Sequence, residues 1–291
     1  MEIIGNTPMV SVRNWENKKV EIFAKLEGFN PGGSIKDRIG KAMLEEAERN
    51  GDLARDKIIL EASSGNTGIA LAMIGAVKGY RVTIVIPENA SIERLQILKA
   101  YGAEVIFTDK SFGVDGSITK VKELLRANPE KYFSPDQYSN VHNPRSHYET
   151  TARELIWQMG GKFDYFVAGV GTGGTVTGIG RALKEMVPGV RVIAVQPQRN
   201  HKVQGLKNLE ESIVPKVYSS NYVDETIIVN NEDAFSSARR LASEQGLLVG
   251  MSSGAAMYGA LQVSKRMNGG RIAAIFPDRG DRYLSTGLFG V

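Results

Sequence analysis

The stretch Asn30-Pro31-Gly32-Gly33-Ser34-Ile35-Lys36-Asp37-Arg38 places one lysine where a glycine-rich turn leads into a helical pattern. Ser34 is predicted to cap this helix, so Lys36 lies in its first turn, where the helix dipole disfavours a positive charge. A lysine there is shifted towards the free amine, which is the form that attacks a carbonyl group to make a Schiff base. Most lysines are solvated surface residues, so the meaning of this one depends on the segments that accompany it.

A second glycine-rich turn, Gly169-Val170-Gly171-Thr172-Gly173-Gly174-Thr175, follows an apolar run and opens a helical pattern. Its glycines allow close backbone approach, its threonines offer hydroxyls, and the helix start supplies N–H groups, which together suit a phosphate monoester. The same turn also fits Gly-x-Gly-x-x-Gly, the dinucleotide fingerprint of an NAD-type oxidoreductase. That fingerprint requires an acidic residue at the end of the next strand, where this chain has Gln196 and Pro197. The dinucleotide interpretation is therefore kept only as an alternative.

A third turn, Ser63-Ser64-Gly65-Asn66-Thr67-Gly68, also joins an apolar run to a helical pattern. Successive N–H groups and hydroxyls at a helix start can form a nest for a carboxylate, and Asn66 carries an amide donor suited to a phenolate oxygen. Taken alone, this turn could equally be a polar connection between a strand and a helix. An amine with two anion-binding turns is what a protein needs to hold a phosphorylated aldehyde covalently beside a carboxylate.

Composition limits the class of protein. The 291 residues are 42% hydrophobic and 23% charged, which fits a globular protein large enough for two domains. A net charge of +4 without basic runs argues against nucleic acid as a partner and weakly favours small anionic ligands. The absence of cysteine fits a reducing compartment. The N-terminus lacks signal-peptide features, and no run approaches the roughly 20 apolar residues of a membrane span, so we expect a cytoplasmic protein without a membrane partner.

Apolar runs alternate with segments of helical period along most of the chain, which predicts an open α/β architecture with mostly parallel sheets. The predicted strands are 57–62, 82–87, 104–108, 165–170, 190–196 and 271–277. The predicted helices, beyond the one at Lys36, are 69–78, 92–101, 118–127, 147–160, 176–186, 234–244 and 255–265. The polar stretch 134–144 separates two series of such units and is the expected hinge.

Several polar segments have no assigned chemistry at this level. The turn Gly250–Gly254 contains Ser252, which helix capping alone explains. The charged segment 278–286 is predicted to be a solvated turn with weak local ion pairs. The aperiodic segment 198–222 is long enough to carry function or mobility. His142, His147 and His201 lack metal-ligand spacing, so no metal site is expected and each is given a structural or surface role.

With these segments in hand, the sequence resembles the fold-type II pyridoxal-phosphate enzymes, and most closely the cysteine synthase group (O-acetylserine sulfhydrylases). The resemblance runs from Gly5-Asn6-Thr7-Pro8 to Leu284-Ser285-Thr286-Gly287. It implies a fold like that of the tryptophan synthase β chain, with residues 37–140 as a smaller mobile domain and residues 1–36 with 141–291 as a larger one. It also implies a homodimer.

The resemblance further implies roles for individual residues. Lys36 would form the Schiff base with pyridoxal 5′-phosphate and later move the Cα proton, Asn66 would contact the 3′ oxygen, and Ser252 would face the pyridine nitrogen. The residues implied to hold the 5′-phosphate are Gly171, Thr172, Gly173, Gly174 and Thr175. Those implied to bind the substrate carboxylate are Ser63, Ser64, Gly65, Asn66, Thr67 and Gln137.

The implied reaction is a β-replacement. An O-activated L-serine, either O-acetylserine or O-phosphoserine, would lose its leaving group to give an α-aminoacrylate, and sulfide or thiosulfate would then add to give L-cysteine or S-sulfocysteine. A neutral serine beside the ring nitrogen favours this elimination over a long-lived carbanion. The segment Asp278–Tyr283 resembles the B-type isozyme, which accepts the larger donors. Cystathionine β-synthase shares the Lys36, Asn66 and Gly171–Thr175 segments and is the closest alternative, with homocysteine as the acceptor.

Overall fold

The computed structural model describes residues 1–63 and 65–290. Within them the chain forms ten β-strands and nine α-helices. The strands are β1 (Met9–Val12), β2 (Val20–Leu26), β3 (Ile58–Ala62), β4 (Arg81–Pro87), β5 (Glu104–Thr108), β6 (Tyr132–Phe133), β7 (Tyr165–Gly169), β8 (Arg191–Pro197), β9 (Glu225–Val229) and β10 (Gly270–Phe276). The helices are α1 (Lys36–Asn50), α2 (Asn66–Lys78), α3 (Ile92–Ala100), α4 (Gly113–Ala127), α5 (His142–Ser146), α6 (Ala152–Gln158), α7 (Gly174–Met186), α8 (Asn231–Gln245) and α9 (Met251–Ser264).

The smaller of the two sheets has the strand order β5-β4-β3-β6, and all its pairs are parallel. Its central strands β3 and β4 are buried on both faces, as parallel strands are when helices cover both sides, whereas the edge strands β5 and β6 are only partly buried. A core around Ile59, Ile69 and Ile84 lies against α2 and α3, and a second core around Leu60 and Val85 lies against α4. Because every strand is joined to the next by a crossover, the carboxyl ends of the strands lie at one edge.

The larger sheet has the order β1-β2-β10-β7-β8-β9 and is parallel except for the pair β1 and β2. One face packs on α8 and α9 through a core that includes Val167, Ala255 and Phe276. The opposite face packs on α6 and α7 through a core that includes Phe166 and Ile179. The predicted fold class, an α/β protein with two mostly parallel sheets flanked by helices, is confirmed.

Some predicted boundaries were wrong. The strands β1, β2, β6 and β9 were not predicted. The last long helix begins at Met251 rather than at residue 255. The helix predicted over 147–160 begins five residues earlier, at His142, and contains a π-helical turn, His147–Thr151, between α5 and α6.

A buried ion network holds the helix that begins with Lys36. The Arg38 guanidinium, one turn into α1, lies 2.6 Å from Glu27 and 2.7 Å from Glu154, and Lys25 lies 2.8 Å from Glu154. Burial alone would raise the pKa of Glu154, but hydrogen bonds and charge from Arg38 and Lys25 lower it to about 2. These contacts join β2, α1 and α6, so the start of α1 is fixed by the larger sheet.

Within the described residues, no helix has both the length and the apolar character needed to cross a bilayer. All four strands of the smaller sheet fall inside the range 37–140, which was predicted to be a separate domain. That division, and the mobility of the smaller part, remain predictions.

Candidate active site

A cavity of about 130 Å³ lies where the carboxyl ends of β3, β7 and β10 meet. Such edges of parallel sheets are where open α/β proteins bind ligands. Most of the residues predicted from the sequence line this one cavity. They are Lys36, Ser63, Gly65, Asn66, Thr67, Gln137, Gly171, Thr172, Gly173, Thr175 and Ser252. Gly174 lies just behind the lining as the first residue of α7, and Ser64 falls outside the described residues.

Lys36 is the first residue of α1, as predicted, and its side chain lines the cavity. Burial lowers its pKa to about 8, against the opposing effect of Asp278. The lowered pKa agrees in direction with the prediction, but its main cause is burial rather than the helix dipole. The predicted cap needs correction too: Ile35 occupies the N-cap position, although the Ser34 hydroxyl accepts the Lys36 backbone N–H at 3.2 Å.

The turn before α7 is built for close backbone approach. Gly173 has φ +85°, and a β-carbon on Gly171 would collide with the carbonyl oxygen of Gly205, while one on Gly174 would collide with the Asn143 side chain. Glycine is therefore required at these positions by both conformation and space. The turn presents backbone N–H groups and Thr172 at the positive end of a 13-residue helix, an arrangement that fits a phosphate monoester.

His147 supports this turn from behind, a role that its sequence context did not reveal. Its Nε2 lies 3.3 Å from the Thr175 hydroxyl, and its Nδ1 lies 3.0 Å from the Thr151 hydroxyl. Burial, with the nearby charges of Lys36 and Arg38, holds the pKa of His147 well below its usual range, so the ring is neutral. It opens the π-helical turn, and such turns are frequent at functional sites.

The turn before α2 is organised by Ser63. Its hydroxyl oxygen accepts the backbone N–H groups of Gly65 at 3.2 Å and Gly68 at 2.9 Å. Thr67 donates its hydroxyl to the side-chain oxygen of Gln137 at 2.6 Å. The structure thus brings Gln137 to this turn from a segment 70 residues away.

Asn66 is held by residues that the sequence analysis treated as solvated. Its amide nitrogen donates to Asp278 at 2.7 Å, and its amide oxygen accepts from Arg282 at 2.6 Å. The Tyr283 hydroxyl also donates to Asp278, and all three partners of this cluster are buried. The prediction of a solvated turn over 278–286 is therefore wrong for these three residues. Asp278 and Arg282 are bonded to Asn66, and Tyr283 packs into the core on one face of the larger sheet, which the local sequence does not encode.

Ser252 is 3% exposed and lies in the first turn of α9, facing the cavity. The N-cap of that helix is Gly250, and no side chain caps it. Ser252 therefore does not cap the helix, contrary to the explanation suggested by the sequence. A buried neutral hydroxyl that faces a cavity is available to a ligand atom.

The aperiodic segment 198–222 also contributes to the cavity through Gly205, Leu206 and Lys207. The Lys207 ammonium lies 4.7 Å from the centre of the Tyr138 ring and 3.8 Å from Asp115 of α4. Burial lowers the pKa of Lys207, with Asp115 opposing this effect. This segment therefore reaches from the larger sheet to the helices of the smaller sheet at the cavity.

Fold and cavity together define an α/β protein in which a buried lysine and a glycine-rich turn at a helix start line one cavity. Pyridoxal-phosphate dependent enzymes match residues 1–278, and the chain belongs to that family. Among curated relatives, the cysteine synthase of Aquifex aeolicus is 44% identical over 298 residues, covering 99% of this chain and 91% of that protein.

Solved structures agree. The cysteine synthase of Entamoeba histolytica has a TM-score of 0.93 at 39% identity, covering 100% of this chain and 90% of that chain. The O-acetylserine dependent cystathionine beta-synthase of Helicobacter pylori has a TM-score of 0.93 at 39% identity, covering 99% of this chain and 97% of that chain. The predicted enzyme class, family resemblance and cofactor are confirmed. The dinucleotide alternative is set aside, because the matched family uses pyridoxal phosphate.

Proposed function

We propose that this chain is a pyridoxal-phosphate dependent β-replacement enzyme. It would act on O-acetylserine or O-phosphoserine and add sulfide or thiosulfate, giving L-cysteine or S-sulfocysteine. The observation that carries the proposal is that Lys36, the turn Gly171–Thr175 and Ser252 face one cavity. The separation of these groups along the sequence makes a chance meeting in one cavity a poor explanation.

In this proposal the cofactor, when bound, withdraws electrons from the substrate so that the Cα proton becomes acidic and the β substituent can leave. The Lys36 amine holds the cofactor and then carries the Cα proton, a task suited to a pKa of about 8. The N–H groups of the turn before α7 hold the phosphate without any basic side chain within the turn. Ser252 offers a neutral hydroxyl to the pyridine nitrogen.

The carboxylate of the amino-acid substrate would bind at the turn before α2. Ser63 uses its oxygen to accept two backbone N–H groups, which leaves its hydroxyl hydrogen for a ligand. Thr67 and Gln137 are already hydrogen-bonded to each other beside it. Residues 37–140 would move as a unit over the bound carboxylate and exclude water from the electrophilic substrate.

The lysine role can be tested directly. We expect the purified protein to be yellow with bound pyridoxal phosphate, and borohydride to fix the cofactor on the peptide that contains Lys36. Lys36→Ala should lose this covalent adduct. Lys41→Ala, which removes a lysine from the same helix outside the cavity, is the control and should keep it. A colourless, folded wild type that takes up no cofactor would refute the proposal.

Substrate choice is tested by adding O-acetylserine, O-phosphoserine and serine separately to the loaded enzyme and following its visible absorbance. Only an accepted substrate should change the spectrum before a sulfur donor is added. Thiosulfate as an efficient donor would support the B-type assignment, which rests on Asp278 and Arg279. If the enzyme instead forms product only from serine and homocysteine, the cystathionine β-synthase type of condensation is favoured.

We also infer a homodimer in the cytoplasm, on the strength of the resemblance and of the composition without cysteine. Sedimentation equilibrium of the purified chain measures the first, and fractionation of the source cells measures the second.

A further inference from the structure

One buried acid beside the cavity has no part in the function proposed above. Glu61 lies in β3, two residues before Ser63, and is 2% exposed. Its two carboxyl oxygens accept the backbone N–H groups of Asp136 at 3.0 Å and Gln137 at 3.5 Å. An acid buried this deeply needs such partners, and here both come from one turn on another segment.

That turn has a costly backbone. Asp136 has φ +48°, in the left-handed region that side chains other than glycine rarely adopt. Its own side chain accepts the Tyr138 N–H at 3.2 Å, which closes the turn from one side. The acceptor on the other side is Glu61. A strained turn persists only where its surroundings over-determine it, so Glu61 is part of what keeps residue 136 in this conformation.

The turn presents Gln137 to the cavity. The Gln137 side chain accepts from Thr67 at 2.6 Å and donates to the Ala62 carbonyl at 3.3 Å, and its own carbonyl accepts from Asn143 at 2.7 Å. Because the N–H of Gln137 points to Glu61, the whole residue is held from every side. A shift of the turn would move its amide away from the carboxylate-binding turn.

We propose that Glu61 is a positioning residue for the carboxylate of the amino-acid substrate, acting through the 136–137 turn and Gln137. This inference rests on the proposed function, because it assumes that the turn before α2 receives a carboxylate. It deepens that function by adding a residue that touches no ligand.

Three substitutions of Glu61 separate the contributions of its oxygens. Glu61→Met keeps the length but removes both acceptors, and Glu61→Asp withdraws them by one methylene. We expect KM for O-acetylserine to rise by about tenfold in Glu61→Met and by about threefold in Glu61→Asp. The value of kcat should stay within about twofold of wild type in both variants. Glu61→Gln keeps an oxygen for the Asp136 N–H and should restore KM to within about twofold. Affinity for L-methionine, which carries a carboxylate but no leaving group, should follow the same order.

The control is Thr83→Val in the adjacent strand β4, which removes a partly buried hydrogen bond of 3.0 Å to Glu104 outside the cavity. It should lower thermal stability without changing KM. A wild-type KM in Glu61→Met would overturn the role of Glu61, and so would an equal rise of KM in Glu61→Met and Glu61→Gln. If Glu61→Met does not fold, an unchanged KM in Glu61→Asp would likewise overturn it. A wild type that does not bind L-methionine and turns over neither O-acetylserine nor O-phosphoserine would instead refute the proposed function.

Discussion

At the scale of single residues, the site is governed by which groups are buried together. Asp278 lies beside Asn66 and close enough to Lys36 to raise its pKa, against the burial that lowers it to about 8. One carboxylate therefore both orients a predicted cofactor contact and tunes the predicted nucleophile.

We expect Asp278→Asn to make Lys36 easier to deprotonate, because removing a nearby negative charge disfavours the ammonium form. Uptake of pyridoxal phosphate by the cofactor-free wild type should rise with pH to a plateau above a midpoint of about 8. In Asp278→Asn the midpoint should fall by about one pH unit. Asp281→Asn, at a half-exposed carboxylate paired with Arg279, is the control and should leave the midpoint in place. An unchanged midpoint in Asp278→Asn would contradict the assigned coupling.

Ser252→Asp should slow β-replacement, because a carboxylate would keep the ring nitrogen protonated and favour a long-lived carbanion over elimination. We expect kcat to fall by about tenfold or more, with cofactor still bound. Ser252→Asn matches the added volume without the charge and should lose less. Equal kcat values for Ser252→Asp and wild type in a steady-state assay would contradict the proposal that the neutral hydroxyl of Ser252 favours elimination.

At the scale of elements, the turn before α7 depends on glycine more for space than for flexibility. Gly171→Ala would drive a methyl group against the Gly205 carbonyl, so the turn must open. We expect the dissociation constant for pyridoxal phosphate to rise by about tenfold or more. Gly79→Ala is the control: it also has a positive φ but open space around it, so it should cost about 1 kcal/mol of stability and leave cofactor affinity unchanged. Equal affinities measured by fluorescence titration would contradict the prediction.

The elements also mark how far the sequence could be interpreted. Regular alternation of apolar runs and helical periods predicted the βα units, because periodicity reflects which face is buried, and glycine-rich stretches between them marked the two turns that line the cavity. The edge strands β1 and β9 were missed because they are short and only half-buried. The role of the segment 278–283 was missed for a different reason. Asp278 and Arg282 are bonded to Asn66, which lies 212 and 216 residues away along the chain, and no local pattern reports such pairing.

At the scale of the whole molecule, buried acids should set the pH dependence of stability. Burial raises the pKa of Asp37 to about 7 and, together with the charge of Asp136, that of Glu61 to about 8. At a pH between the pKa of each acid in the unfolded chain and its higher pKa in the native state, the native state keeps a proton that the unfolded state has released. The contribution of these two acids to the free energy of unfolding should therefore fall as pH rises from about 5, by on the order of 1 kcal/mol per pH unit for each acid, until pH about 7 for Asp37 and about 8 for Glu61.

Glu154, with a pKa of about 2, has the opposite effect: its contribution is present above its unfolded value and is lost as the pH falls towards 2. His147 and His201 oppose the two raised acids below pH 6.5, because burial keeps them neutral in the native state while the unfolded chain binds their protons. The net fall in unfolding temperature should therefore be clearest between pH 6.5 and 8. Asp37→Asn, whose amide oxygen can still accept the Gly32 N–H, should make the change of stability with pH less negative between pH 5 and 7. The same slope in this variant and in wild type, measured by calorimetry, would contradict the assignment.

The π-helical turn His147–Thr151 lies within one continuous helical rod that makes two separate contacts. His147 points to the turn before α7, while Glu154, beyond the wide turn, points to Arg38 and the start of α1. One rod thus supports two distant parts of the frame around the cavity, the glycine-rich turn and the first turn of the helix that carries Lys36.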